Sequence, residues 1–126
     1  MIVDASVMIA VLLREPGWED LLDQLESAPR LGLGAPTLLE TTMVLVSRLR
    51  EDPTPLLEKF LDRLSIEVIS FDDAHCRVAS QAFLRFGKGR HPAALNFGDC
   101  MSYATARLAQ RPLLFVGDDF TKTDLT

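Results

Sequence analysis

Short apolar runs that alternate with longer helical patterns constrain this chain more than any other feature. Met1-Ile2-Val3, Leu31 to Ala35, Ile66 to Phe71 and Leu113 to Val116 are too short for helices, and the segments between them carry helical spacing. Strands that alternate with helices pair in parallel, because each crossover helix returns the chain to the same end of the sheet. The pattern therefore predicts an α/β fold with a short, mainly parallel sheet. With 126 residues the chain suits one domain, residues 1–126, whose core needs no metal or disulfide staple.

Local chemistry places the helices. Ser6 is expected to cap a helix to about Leu13, which Glu15-Pro16-Gly17 interrupts. Trp18 to about Ser27 resumes a helix with Trp18, Leu21, Leu22 and Leu25 on one face, which reads as core packing, with a partner groove as the alternative. Thr37 to about Arg50 is a long helix, and Pro53 and Pro55 open another to about Leu64. Asp72 caps a helix to about Phe86, Gly87 to Pro92 is a loop, and Asn96 starts a helix to about Gln110. Leu113 to Val116 is expected to be a buried strand.

Acidic residues recur where these elements meet. Asp4 follows the first apolar run, Glu40 lies in Thr37-Leu38-Leu39-Glu40, Asp99 follows Asn96-Phe97-Gly98, and Asp118-Asp119 follow Leu113 to Gly117. Each has a local explanation. Asp4 suits an Asx-turn or helix cap, Thr37 and Glu40 suit a capping box, Asp99 suits a first helical turn, and Asp118-Asp119 suit a turn. Those explanations leave unexplained why one residue type follows segment ends along the whole chain. In open α/β sheets the ligand crevice lies beyond the carboxyl ends of the strands. Carboxylates gathered there repel one another unless a cation is present, which points to hard Mg²⁺ or Mn²⁺ with oxygen ligands and to metal-assisted phosphodiester hydrolysis.

The remaining features narrow the alternatives. The net charge of −5 argues against a broadly basic nucleic-acid binder without excluding a nuclease, since clustered carboxylates lower the net charge themselves. Arg85, Lys88, Arg90 and His91 surround Gly87 and Gly89 and form either an RNA-contacting rim or a solvated loop. His75 and His91 lack ligand spacing, and His75 is expected on a helix surface. Cys76 and Cys100 lack metal or redox spacing and are expected as reduced thiols packed in helices. No apolar run approaches the roughly 18 residues of a membrane span, so a cytoplasmic protein is expected.

With those residues in view, the chain resembles PIN-domain proteins, specifically the VapC-type toxin ribonucleases of VapBC toxin–antitoxin pairs. The resemblance is carried in order by Met1-Ile2-Val3-Asp4-Ala5-Ser6, Thr37-Leu38-Leu39-Glu40, Asn96-Phe97-Gly98-Asp99-Cys100-Met101-Ser102-Tyr103-Ala104 and Leu113 to Phe120. It implies a three-layer α/β/α sandwich, Mg²⁺- or Mn²⁺-dependent endoribonuclease activity on RNA, inhibition by a VapB-like antitoxin, and a homodimer. By position, Asp4 and Asp99 match the central metal ligands and Glu40 the third acid. The fourth falls on Asp119 or Asp118, with Asp119 preferred because it precedes Phe120. Ser6 matches a hydroxyl that orders the site. Two other classes stay open: a catalytically silent antitoxin-binding module, and a receiver-like signalling domain, although receivers carry their acidic pair near the N-terminus.

Overall fold

Val3 is followed at once by a polar side chain, and that junction organises the molecule. A computed structural model describes residues 1–125, and among them four strands form one all-parallel sheet in the order β3-β2-β1-β4. The strands are β1 (Ile2–Val3), β2 (Leu31–Gly34), β3 (Ile66–Ile69) and β4 (Leu113–Leu114). Ile2 pairs with Gly32 on one side and Leu113 on the other, and Val3 pairs with Leu114. The chain builds outward from β1 to β2 and β3, then crosses back to add β4 on the opposite edge. The switch point thus falls between β1 and β4, and the crevice opens beyond Val3 and Leu114.

Helices cover both faces of this sheet. Residues alternate between the faces of a strand, so Val3, Leu31, Leu33 and Ile66 point to one side. There they pack with α1 (Ala5–Leu12), α2 (Trp18–Ser27), α3 (Ala35–Leu49) and α4 (Thr54–Leu64) through Val7, Met8, Leu25, Leu45 and Leu57. On the other side α5 (Asp73–Phe86) and α6 (Phe97–Ala109) enclose a second core of Ala82, Phe86, Ala93, Leu95, Cys100, Tyr103 and Phe120. These are the three layers expected of an α/β/α sandwich. Among the described residues no helix is long and apolar enough to cross a membrane.

Several boundaries depart from the sequence expectation, each for a local reason. The N-cap of α1 is Asp4 rather than Ser6, because the Asp4 carboxylate accepts the Ser6 amide at 3.1 Å. Helix α3 starts at Ala35 rather than Thr37, since Pro36 sits comfortably in the first helical turn, where its missing N–H is not needed. That earlier start removes the capping box proposed for Thr37 and Glu40: the cap position is Gly34, and no side chain caps the helix. Strand β3 stops at Ile69, and β4 is two half-buried residues rather than a buried run to Val116. The first core takes in Leu21, Leu22 and Leu25.

Two side chains also sit differently. Cys76 is exposed rather than packed, whereas Cys100 is buried. His75 is largely covered rather than on the surface: it stacks on Phe71 and meets the Asp72 carboxylate at 2.9 Å in the capping box of α5.

Candidate active site at the sheet switch point

Asp4 is the anchor of the site because it leaves β1 while still bound to β4. Its amide donates to the Leu114 carbonyl at 3.0 Å, which fixes the residue in the crevice between the two strands. Its side chain is buried, and hydroxyls supply most of its partners. Oδ2 accepts the Ser6 hydroxyl at 2.6 Å and the Ser6 amide at 3.1 Å. Oδ1 accepts the Ser102 hydroxyl at 2.5 Å from α6, across a sequence separation of 98 residues. Ser6 Oγ in turn accepts the Val116 amide at 3.0 Å, tying the start of α1 to the segment that follows β4.

Asp99 enters from α6 and has two tasks. The Asn96 amide donates to its Oδ2 at 3.1 Å and its own amide donates to Asn96 Oδ1 at 2.9 Å, a reciprocal cap at the helix start. The cap explanation therefore holds, and the carboxyl is also turned into the acidic cluster. Burial pushes the Asp99 carboxyl up to about 6, the amide from Asn96 opposes that rise, and the nearby charges of Asp119 and Asp4 add to it. Glu40 is half-buried on α3. Burial first, and the Asp4 charge second, raise its carboxyl above the usual glutamate value. Its carboxylate rests on the backbone of Gly98: a Cβ built there would lie 2.6 Å from Oε1 and 2.7 Å from Oε2. Only a residue without a side chain lets Glu40 approach the start of α6 this closely.

The two C-terminal aspartates separate cleanly. Asp119 is exposed yet close enough to Asp99 to raise its proton affinity. Asp118 is exposed, and its carbonyl accepts the Thr121 amide and hydroxyl in the turn that follows Gly117. Phe120, buried and set edge-on to Phe115 with centroids 5.1 Å apart, pins the turn that carries Asp119.

The structure thus gathers Asp4, Glu40, Asp99 and Asp119, with Ser6 among them, and leaves Asp118 in a turn. The basic rim is less unified. Arg85 pairs with Asp124 at 3.2 Å, Arg90 lies over the Phe83 ring, and Lys88 is exposed. Ser102 had no assigned role in the sequence, and Thr37 only that of a helix cap. Ser102 follows Asp99 by three residues, so it shares that helix face, and this spacing was the one local signal available.

The donor set is all oxygen, which suits a hard divalent cation. Among the described residues no three His, Cys, Asp or Glu side chains group tightly enough to cage an ion. Magnesium does not need such a cage, because it binds through one or two carboxylates and keeps several waters.

Fold and site define a parallel α/β protein whose switch-point crevice is lined with carboxylates. The PIN domain family model matches residues 1–125. Ribonuclease VapC36 of Mycobacterium tuberculosis is 44% identical over 126 residues, covering 99% of this chain and 91% of its own length. Ribonuclease VapC42 of the same species is 41% identical, covering 99% and 96%. The chain belongs to the PIN-domain family. The same fold occurs in the crystal structure of Mycobacterium tuberculosis VapC20, described as a sarcin-ricin loop cleaving toxin. That structure has a TM-score of 0.72 at 20% identity over 95% of this chain and 92% of that one. It occurs also in Rickettsia felis VapBC2 bound to a promoter DNA fragment, with a TM-score of 0.72 at 14% identity over 98% and 92%.

Proposed function

We propose that this protein is a Mg²⁺- or Mn²⁺-dependent endoribonuclease, the toxin of a type II toxin–antitoxin pair, held in check by a VapB-like antitoxin and acting as a homodimer. One observation carries the activity: Asp4, Glu40, Asp99 and Asp119 meet at the switch point, where two of them bind protons more tightly than free carboxylates do. The names of relatives 41–44% identical over nearly the whole chain point the same way. The antitoxin partner rests on the toxin–antitoxin assemblies among the structures that share the fold.

Asp4 and Asp99 would hold the cation, with Glu40 and Asp119 beside them. When bound, the cation acidifies a water and offsets negative charge on the phosphoryl oxygens. The protein's own residues do the rest. Ser6 and Ser102 keep the Asp4 carboxylate in one orientation. Glu40, its proton affinity raised by burial, accepts a proton from the attacking water. Asp119, on the open side, faces the substrate approach. Lys88 and Arg90 supply positive charge to the RNA backbone.

Two expected outcomes follow from the geometry. Gly98→Ala is expected to keep the fold, because the new methyl meets the mobile end of the Glu40 side chain rather than backbone. It displaces that carboxylate, so cleavage falls about tenfold to a hundredfold while circular dichroism and melting stay near wild type. Proton and cation compete for Asp99, whose carboxyl is protonated below about 6 in the metal-free protein, so Mn²⁺ affinity is expected to rise with pH through that value and to level off above it. Mn²⁺ titrations from pH 4.5 to 8.5 check this. An affinity independent of pH across that span would remove Asp99 from the ligand set.

Cleavage of a structured RNA pool by antitoxin-free protein, with Mg²⁺ or Mn²⁺ against EDTA and Asp4→Asn alongside, tests the function. Discrete products that need the cation and vanish in the variant are the expected result. Intact RNA from folded protein that still binds a VapB-like antitoxin would instead mark a silent binding module.

A further inference from the structure

We propose that Ser102, backed by Thr37, is a positioning residue that sets the orientation of the Asp4 carboxylate. The inference rests on the metal-dependent reading above. Ser102 and Thr37 are each 1% exposed, so their hydroxyls must find partners within the protein. Ser102 Oγ lies 2.5 Å from Asp4 Oδ1 and 3.5 Å from Thr37 Oγ1. An ionised carboxylate only accepts, and a serine hydroxyl has one proton. That proton must go to Asp4, so Ser102 can only accept from Thr37. Counting fixes the direction: Ser102 donates to Asp4, and any bond across the long 3.5 Å contact runs from Thr37 to Ser102.

A second chain reaches the other oxygen by the same logic. The Val116 amide donates to Ser6 Oγ, and Ser6 Oγ donates to Asp4 Oδ2. Asp4 is therefore gripped at both oxygens by hydroxyls, each of which is backed by a further donor. One grip comes from α1 and the segment after β4, the other from α6 and α3. Without Ser102, Oδ1 loses its donor and only the Ser6 hydroxyl and amide at Oδ2 restrain rotation about the Cβ–Cγ bond.

Mn²⁺ titration of antitoxin-free wild type, Ser102→Ala, Thr37→Val and the double variant tests this, together with a crystal structure of Ser102→Ala. Loss of a ligand's supporting hydrogen bond costs about 10- to 100-fold in metal affinity, and that loss is expected for Ser102→Ala in folded protein, with the Asp4 carboxylate rotated. Thr37→Val weakens Mn²⁺ binding less, and adds nothing once Ser102 is alanine, because the chain is serial. Unchanged Mn²⁺ affinity, an Asp4 carboxylate superimposable on wild type, or effects that multiply in the double variant would each overturn the proposal. If wild type itself binds no Mn²⁺, the metal-dependent reading fails, and the position of Asp4 in the Ser102→Ala crystal alone decides the role of Ser102.

Discussion

Asp99→Asn is expected to abolish RNA cleavage and, in the same protein, to raise the melting temperature without metal at pH 7.5. The two effects have one origin. Burial and the charges of Asp119 and Asp4 push the Asp99 carboxyl from the ordinary value of 3.8 up to about 6. A raised acid binds protons more tightly when folded, so its contribution to stability is fullest at low pH and declines as pH rises from 3.8 to about 6. Above that window the ionised group costs on the order of 3 kcal/mol. Asparagine removes the charge and keeps the cap, because its carbonyl oxygen still accepts the Asn96 amide. Its NH₂ group donates to Asp119. A recovery of about 1–2 kcal/mol, or a rise on the order of 5 °C, is expected by thermal unfolding in EDTA. At pH 4.5 the gain shrinks, since Asp99 is already protonated. A variant that melts below wild type at pH 7.5 would show that repulsion and burial do not govern this group.

Asp4→Ala is expected to be equally inactive and to move stability the other way. Asp4 caps α1 and accepts from Ser6 Oγ, the Ser6 amide and Ser102 Oγ. Loss of an N-cap costs about 0.5–2 kcal/mol, and a buried donor left without its acceptor costs about 1–3 kcal/mol. Relief of repulsion on Glu40 and Asp99 offsets part of that, leaving a net loss of about 2–3 kcal/mol. Urea unfolding in EDTA at pH 7.5 measures it. An Asp4→Ala protein as stable as wild type would mean that the hydroxyl grip contributes nothing to the fold. The pair of variants separates charge from architecture: Asp99 is a destabilising charge on a cap that asparagine can replace, whereas Asp4 is structural as well as chemical.

How much of this was legible in the sequence depends on how local each feature is. The all-parallel sheet was readable because apolar runs as short as Ile2–Val3 can only be strands between helical patterns. The α6 cap was readable because Asn96 and Asp99 are three residues apart and bond each other. Local rules misled at Thr37 and Glu40, where the spacing fits a capping box but Pro36 moves the helix start to Ala35. Glu40 is thereby released from the cap and lies against Gly98. Ser6 was expected as the cap of α1, but Asp4, the other candidate, takes that place, and the Ser6 hydroxyl bridges it to Val116.

The tertiary features left little trace. Ser102 reaches Asp4 from 98 residues away, and nothing in its neighbours marks it apart from its spacing to Asp99. The preference for Asp119 over Asp118 rested only on its place before Phe120, whereas its nearness to Asp99 is tertiary: buried Phe120 meets Phe115 edge-on beside it. The pairing of Arg85 with Asp124 has the same character, since it joins residues 39 apart through the fold alone.

X-ray diffraction from Mn²⁺-soaked crystals of antitoxin-free protein, recorded at the manganese edge, tests the central claim most directly. The expected result is one anomalous peak within bonding distance of Asp4 and Asp99, lost in Asp99→Asn crystals treated alike. No manganese at Asp4 in wild-type crystals, with the crevice open and the ion bound only elsewhere, would contradict a metal centre at the switch point.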